Sequence, residues 1–155
     1  RLLVFGILAL ALGLRLVRLT FQPLWADEGY SVYFALLDWR TLTTATAADI
    51  HPPLYYYLLK LWIAVLGPGD VALRSLSVLL GVATVALTYA LARRLAGPAV
   101  ALVAALGLAV SPFHIYYSQE VRMYALAALL AVASTLCMVS LLDAWTERST
   151  AGARY

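Results

Sequence analysis

The chain has 155 residues, 64% of them hydrophobic and 12% charged, where soluble domains run about 45–50% apolar and about 25% charged. That gap excludes an ordinary water-soluble domain and points to a bilayer. The net charge of +3 comes without a Lys/Arg block, so no nucleic-acid partner is read from it, and a single cysteine, Cys137, permits no intrachain disulfide.

The chain opens on Arg1 rather than Met, as a clipped or partial start would. Residues 2–19 read as a first span, near the roughly 20 residues that a crossing helix needs, provided that Arg15 and Arg18 reach toward the interface. Ala9-Leu10-Ala11 fits a signal-peptidase pattern, but the apolar run continues past Leu14, which favours a retained anchor. Residues 20–70 form a polar loop with two surface helices. The first, about 28–38, is capped by Asp27, with Glu28 in its first turn. Its Tyr30, Tyr33, Phe34 and Leu37 share one stripe, as on a helix lying along a membrane. Thr41–Ala48 reads as irregular. Asp49 to His51 offer caps before Pro52-Pro53 and a second surface helix, about 53–66, stopped by Gly67-Pro68-Gly69. Lys60 would cost about 2.5–3.5 kcal/mol at mid-bilayer, so this helix is expected to lie at the surface with Lys60 snorkelling. Three more spans follow: 71–95 with Asp70 as cap, 98–113 after the Gly97-Pro98 break, and 123–142. His114–Arg122 is a polar-aromatic loop ending near a plausible cap, Ser118. A polar tail runs from Trp145 to Tyr155. The expected fold is an all-α integral membrane protein, one domain over 1–155, with four transmembrane helices and an external loop carrying juxtamembrane helices.

Topology decides which charges meet. Arg93-Arg94 and the Arg148/Arg154 tail are separated by two spans, so they share a side, which the positive-inside rule makes cytoplasmic. If helix 53–66 does not cross, Asp27, Glu28, His51, Arg74, Glu120 and Arg122 all face the outside. Its short length and Lys60 favour that arrangement. Arg15 and Arg18 then fall at the outer end, which the rule disfavours. Charged residues at membrane depth are candidates for function. A polyprenyl-phosphate sugar would suit these residue types: arginines pair with phosphate, and a carboxylate can take a proton from an attacking hydroxyl.

In chain order stand a span, Trp25-Ala26-Asp27-Glu28-Gly29-Tyr30, His51-Pro52-Pro53-Leu54-Tyr55-Tyr56, Leu73-Arg74-Ser75-Leu76, and Ser111-Pro112 through Tyr117-Ser118-Gln119-Glu120-Val121-Arg122-Met123-Tyr124. This order resembles the N-terminal part of GT-C membrane glycosyltransferases, of the protein mannosyltransferase and aminoarabinose transferase kind. The resemblance implies an inverting glycosyltransferase using a polyprenyl-phosphate sugar, in a bacterial-type inner or plasma membrane with its site outside. Asp27, with Glu28 beside it, would be catalytic. Arg122, with Arg74, would bind the donor phosphate, and His51 and Glu120 would complete the site. Some relatives hold a divalent metal ion at this face; any such ion here would fall to His51 with Asp27 or Glu120, and one His with scattered carboxylates is a weak metal signal. Family members are longer, so the chain is expected to be a fragment or a reduced form. The alternative is a non-catalytic subunit packing among other membrane subunits.

Overall fold

The computed structural model describes residues 1–48 and 51–152, and among these all regular structure is helical. Seven helices follow one another: α1 (Leu2–Leu16), α2 (Ala26–Leu36), α3 (Trp39–Ala47), α4 (Leu54–Leu66), α5 (Asp70–Ala109), α6 (Pro112–Ser118) and α7 (Tyr124–Gly152). Two of them are long and apolar enough to cross a bilayer: α5, with 40 residues, and α7 over the 23 residues Tyr124–Thr146. The apolar helices α1 and α4 have 15 and 13 residues.

Helix α5 is two arms. Gly97 sits at φ +84 and ψ 175, a conformation that costs glycine little and other residues much, and Pro98 follows it. The arms fold back on each other against α1: Val85 of the first and Ala105 and Ala109 of the second close around Ala11 in one buried cluster. Small side chains at this junction let three helices approach closely. At the end near the break, Arg94 ties α5 to α7 by a hydrogen bond to Ser140 of 2.7 Å and a looser ion pair with Asp143 at 3.8 Å.

The opposite end carries the other helices. A second buried cluster joins Ala35 of α2, Leu42 of α3, Tyr55, Tyr56 and Leu59 of α4, Leu73 and Leu76 of α5, Val121, and Leu126 of α7. Helix α4 crosses only the start of α5: Tyr55 meets Ser77 at 3.2 Å, and the Trp62 indole donates to the Ala72 carbonyl at 2.9 Å. It ends where expected, with Gly67 at φ +81 closing it.

Several sequence expectations are corrected. Arg15 does not reach the interface; it is fully buried. Its guanidinium donates to the Ala11 and Ala109 carbonyls, Ser118 and His114. α1 therefore ends at Leu16, short of 19. Lys60 is partly buried and tied within the protein. Its ammonium donates to the carbonyls of Ala35 and Leu37 at the C-terminus of α2, where a cation is favoured by the helix dipole. The first surface helix begins at Ala26, and Trp25, not Asp27, is its N-cap. Thr41–Ala48 is mostly helical, because the Asp38 carboxylate accepts from the Arg40 and Thr41 amides and caps α3. Asp70 is the first residue of α5 rather than its cap, which is Gly69. Residues 112–118, expected to straddle a span end and a loop, form α6 under the Ser111 cap; Ser118 is the last residue of that helix, and its hydroxyl donates to the His114 carbonyl at 2.6 Å. The expected tail from Trp145 continues α7 to Gly152. The expected capping role of Asp49 lies outside the described residues.

Candidate functional site

The acidic pair splits into two roles because adjacent helical residues point about 100° apart. Glu28, at the third position of α2, turns inward and is 1% exposed. Its carboxylate accepts from the Trp25 amide at 3.3 Å, which closes the first turn. It accepts from the Val121 amide at 2.9 Å. It also forms a two-pronged pair with Arg74, Nε to Oε1 at 3.3 Å and Nη2 to Oε2 at 3.0 Å. The remaining Arg74 donors reach the carbonyls of Leu19, Gln22 and, at 3.5 Å, Pro23. Five acceptors thus meet the five guanidinium N–H groups. Arg74 and Glu28 together tie the end of α1, the start of α2, the start of α5 and the turn before α7.

Asp27 turns the other way, and its side chain is 44% exposed. Arg122 approaches it twice: Nη1 donates to the Asp27 carbonyl at 3.2 Å, and Nη2 lies 3.7 Å from Oδ2. Arg122 is itself 5% exposed, and its Nε has no hydrogen-bond partner among the described residues. Unlike Arg74, whose five donors are all met, Arg122 has an Nε that is buried and unmatched among the described residues. Asp27, Arg122, His51, Tyr30, Phe34 and Tyr56 line a cleft of about 250 Å³. It combines a carboxylate, a cation, an imidazole and aromatic faces. That set can take a proton from a hydroxyl, hold an anion and stack on a ring.

Glu120 is not in this cleft. It lines a second one, of about 180 Å³, with Glu28 and Arg74 at the base. Residues 119–123 are non-helical, and the Val121 amide bound to Glu28 fixes their path. Val121 points into the core, while Glu120 and Arg122 serve opposite clefts. Burial raises the pKa of Glu120 above the usual carboxylate value, and the neighbouring Tyr116 hydroxyl, hydrogen-bonded to it, partly offsets this. The same contact raises the pKa of Tyr116.

The structure thus brings Asp27, His51 and Arg122 together, pairs Glu28 with Arg74, and sets Glu120 apart. Among the described residues no group of three His, Cys, Asp or Glu side chains converges as metal donors. The donor set expected from Asp27, His51 and Glu120 is divided between the two clefts.

Sequence reasoning missed the polar knot at Arg15. Burial and the adjacent guanidinium lower the pKa of His114 to about 4, so its imidazole is neutral and Nδ1 accepts from Arg15 Nη2 at 2.6 Å. Gln119 adds two bonds of 2.9 Å to the Arg15 and Val17 carbonyls. The available signal was an arginine inside an apolar run, which demands internal partners.

A family model described as dolichyl-phosphate-mannose-protein mannosyltransferase matches residues 50–151, about two thirds of the chain. The matched stretch holds His51, Arg74, Glu120 and Arg122, and it starts after Asp27 and Glu28. No curated protein and no solved structure matches.

Proposed function

We propose a function from one premise: the chain belongs to the dolichyl-phosphate-mannose-protein mannosyltransferase family. It is therefore a membrane glycosyltransferase of the GT-C type, and its family implies a lipid-linked sugar donor. Our reading places the transfer centre in the cleft of Asp27, Arg122 and His51. The single observation that carries it is the pairing in one cleft of an accessible carboxylate, Asp27, with a guanidinium, Arg122, whose Nη2 lies 3.7 Å from it.

In this reading the donor is a polyprenyl-phosphate sugar and the acceptor is a hydroxyl. The acceptor oxygen attacks the anomeric carbon on the face opposite the phosphate. Its proton passes to the Asp27 carboxylate, and the bond from the anomeric carbon to the phosphate oxygen breaks. The anomeric centre inverts. Arg122 receives the negative charge on the departing phosphate, as arginine does in charge-assisted pairs, while its contacts to Asp27 hold the base in place. Tyr30, exposed at the cleft, offers a ring face to the sugar, and His51 borders the acceptor side. Glu28 and Arg74 hold the frame: the Arg74 donors are occupied by protein acceptors, which favours a positioning role over phosphate binding.

The same reading gives the chain four crossings: α1, both arms of α5, and α7 as far as Thr146. α2, α3 and α4 lie along one membrane face with the clefts. Its support is charge placement. Arg93 and Arg94 stand exposed beside the break in α5, at the end of the bundle away from Asp27. The positive-inside rule makes that end cytoplasmic and the clefts external, in a bacterial-type inner membrane.

The test is transfer by the full chain, reconstituted in vesicles with a polyprenyl-phosphate mannose and a hydroxyl acceptor. Asp27→Asn keeps the shape and removes the base, and activity is expected to fall about 10²–10⁴-fold. Unchanged transfer in that variant would remove Asp27 from the reaction. An absence of transfer by wild type alone, with activity on adding a membrane subunit, would favour the non-catalytic alternative.

A further inference from the structure

The side chain of Arg122 is only loosely tied to its place beside Asp27. Its contacts to that residue are 3.2 and 3.7 Å long, its Nε is unmatched among the described residues, and its guanidinium carbon lies 5.8 Å from the Tyr124 ring centroid. No helix fixes its backbone, because residues 119–123 are the non-helical turn between α6 and α7. The path of this turn therefore decides where the guanidinium stands. Val121 holds the turn through its side chain in the core and its amide on Glu28. The Glu120–Tyr116 hydrogen bond is local to α6. Gln119 instead reaches another element, 104 and 102 residues away: its Nε2 donates to the carbonyls of Arg15 and Val17, each at 2.9 Å. A helix leaves the carbonyls at its C-terminal end without intrahelical donors, and one primary amide has the two N–H groups to meet both. The end of α1 is a firm base for this tie. Arg15 is fully buried, and its guanidinium donates to Ala11 in α1, Ala109 in α5, and His114 and Ser118 in α6. Gln119 and Arg122 are three residues apart, at most about 11 Å of chain, so a shift at the first is passed directly to the second.

We propose that Gln119 is a positioning residue for sugar transfer: by binding the two carbonyls at the end of α1 it sets the path of residues 119–123 and so the place of Arg122 beside Asp27, a role that rests on the reading of Asp27 and Arg122 as the transfer pair. Gln119 touches neither donor nor acceptor in this role. Its loss leaves both binding surfaces in place and lets the guanidinium drift from the departing phosphate, so the loss falls on kcat rather than KM.

Gln119→Leu keeps much of the side chain's bulk and removes both donors. Hydrogen exchange of the full chain in detergent, followed by mass spectrometry, reads the tie without turnover. The Val121 amide should exchange about tenfold faster, the scale of one lost hydrogen bond, while the amides of α4 stay as in wild type. In vesicles with a polyprenyl-phosphate mannose and a hydroxyl acceptor, Gln119→Leu should lower kcat about tenfold and change KM for the donor by less than about twofold. Gln119→Lys brings an ammonium to the same carbonyls, where the helix dipole favours it, and should regain most of the rate. In an Arg122→Met background, Gln119→Leu should cost less than about twofold, because the group that it positions is gone. A purely structural role would cost the same factor in both backgrounds. Wild-type exchange at Val121 in Gln119→Leu, or an equal loss of rate with and without Arg122, overturns the proposal. Arg122→Met at the wild-type rate refutes the transfer-pair reading, whereas faster exchange at Val121 supports the Gln119 tie whatever the rate.

Discussion

Glu28→Ala should be among the most damaging single substitutions in the chain, without removing a group that touches substrate. Glu28 is 1% exposed and Arg74 is 5% exposed. Removing the carboxylate leaves a buried guanidinium with two of its donors, Nε and Nη2, stripped of their partner. Breaking a buried pair from one side costs about 3–5 kcal/mol. The Val121 amide loses its acceptor as well, and an unsatisfied buried donor costs about 1–3 kcal/mol. One oxygen, Oε1, serves both Arg74 and Val121, so the two costs overlap, and about 4 kcal/mol in total is expected. On the scale of 2–4 °C per kcal/mol for domains of this size, that lowers Tm by about 10 °C. Thermal unfolding of purified protein in detergent, followed by intrinsic fluorescence, measures it. The double variant Glu28→Leu with Arg74→Met replaces both charges by apolar groups and should be more stable than Glu28→Ala alone. A loss below about 1 kcal/mol in Glu28→Ala, or a double variant less stable than the single one, would refute a frame built on this pair.

Gly81→Ala drives a Cβ into Ser118 Oγ and places it 2.8 Å from Ser118 Cβ and 3.1 Å from Arg15 Nε. It should cost about 1–3 kcal/mol by overpacking, and adding Ser118→Gly should recover part of that in the same unfolding assay. His114 titrates well below its ordinary value, so its neutral form is favoured by folding. That stability is complete above pH 6.5 and is lost as pH falls toward about 4. Unfolding measured from pH 7 to pH 4 should decline with this component, and His114→Gln should flatten it; an unchanged slope would contradict the Arg15–His114 contact. Glu120 contributes with the opposite sign: its raised pKa stabilises the fold at low pH, and this is lost as pH rises through the folded value. Lys60→Met should destabilise the α2–α4 pairing by about 0.3–1 kcal/mol through lost capping of α2, seen as faster hydrogen exchange at Leu36 and Leu37.

Much of the architecture could be read along the chain because its signals are local. Gly67 and Gly97-Pro98 mark helix ends through backbone conformation alone, and α4 begins and stops within a residue of its expected bounds. Two further helix starts have local signals of their own. Asp38, three residues before Thr41, is an N-cap pattern, and it overrides the poor helix propensity of a Thr-rich stretch. Ser111-Pro112 is a cap followed by a first-turn proline, enough to start α6. Non-local partnerships were not legible. Nothing in the spacing says that Glu28 meets Arg74 and Val121, 46 and 93 residues away. Nor does it say that Arg15 is enclosed by residues 94 to 103 positions on. Periodicity showed where apolar faces lie, but the choice of which carboxylate of a pair turns inward rests on the tertiary arrangement around it. For the same reason Glu120 and Arg122, two residues apart, could not be assigned to different clefts in advance.

Asp27 and Glu28 divide the labour between chemistry and frame, and transfer kinetics at matched folded fraction separate the two roles. Asp27→Asn and Glu28→Gln are compared for initial rates of sugar transfer from polyprenyl-phosphate mannose, each rate corrected for the fraction of protein that unfolds cooperatively. Asp27→Asn is expected to keep the wild-type melting temperature and lose about 10²–10⁴-fold in rate, while Glu28→Gln melts lower and regains most of its rate once corrected. A folded Glu28→Gln that is as inactive as Asp27→Asn, or an Asp27→Asn that transfers sugar at the wild-type rate, would contradict that division.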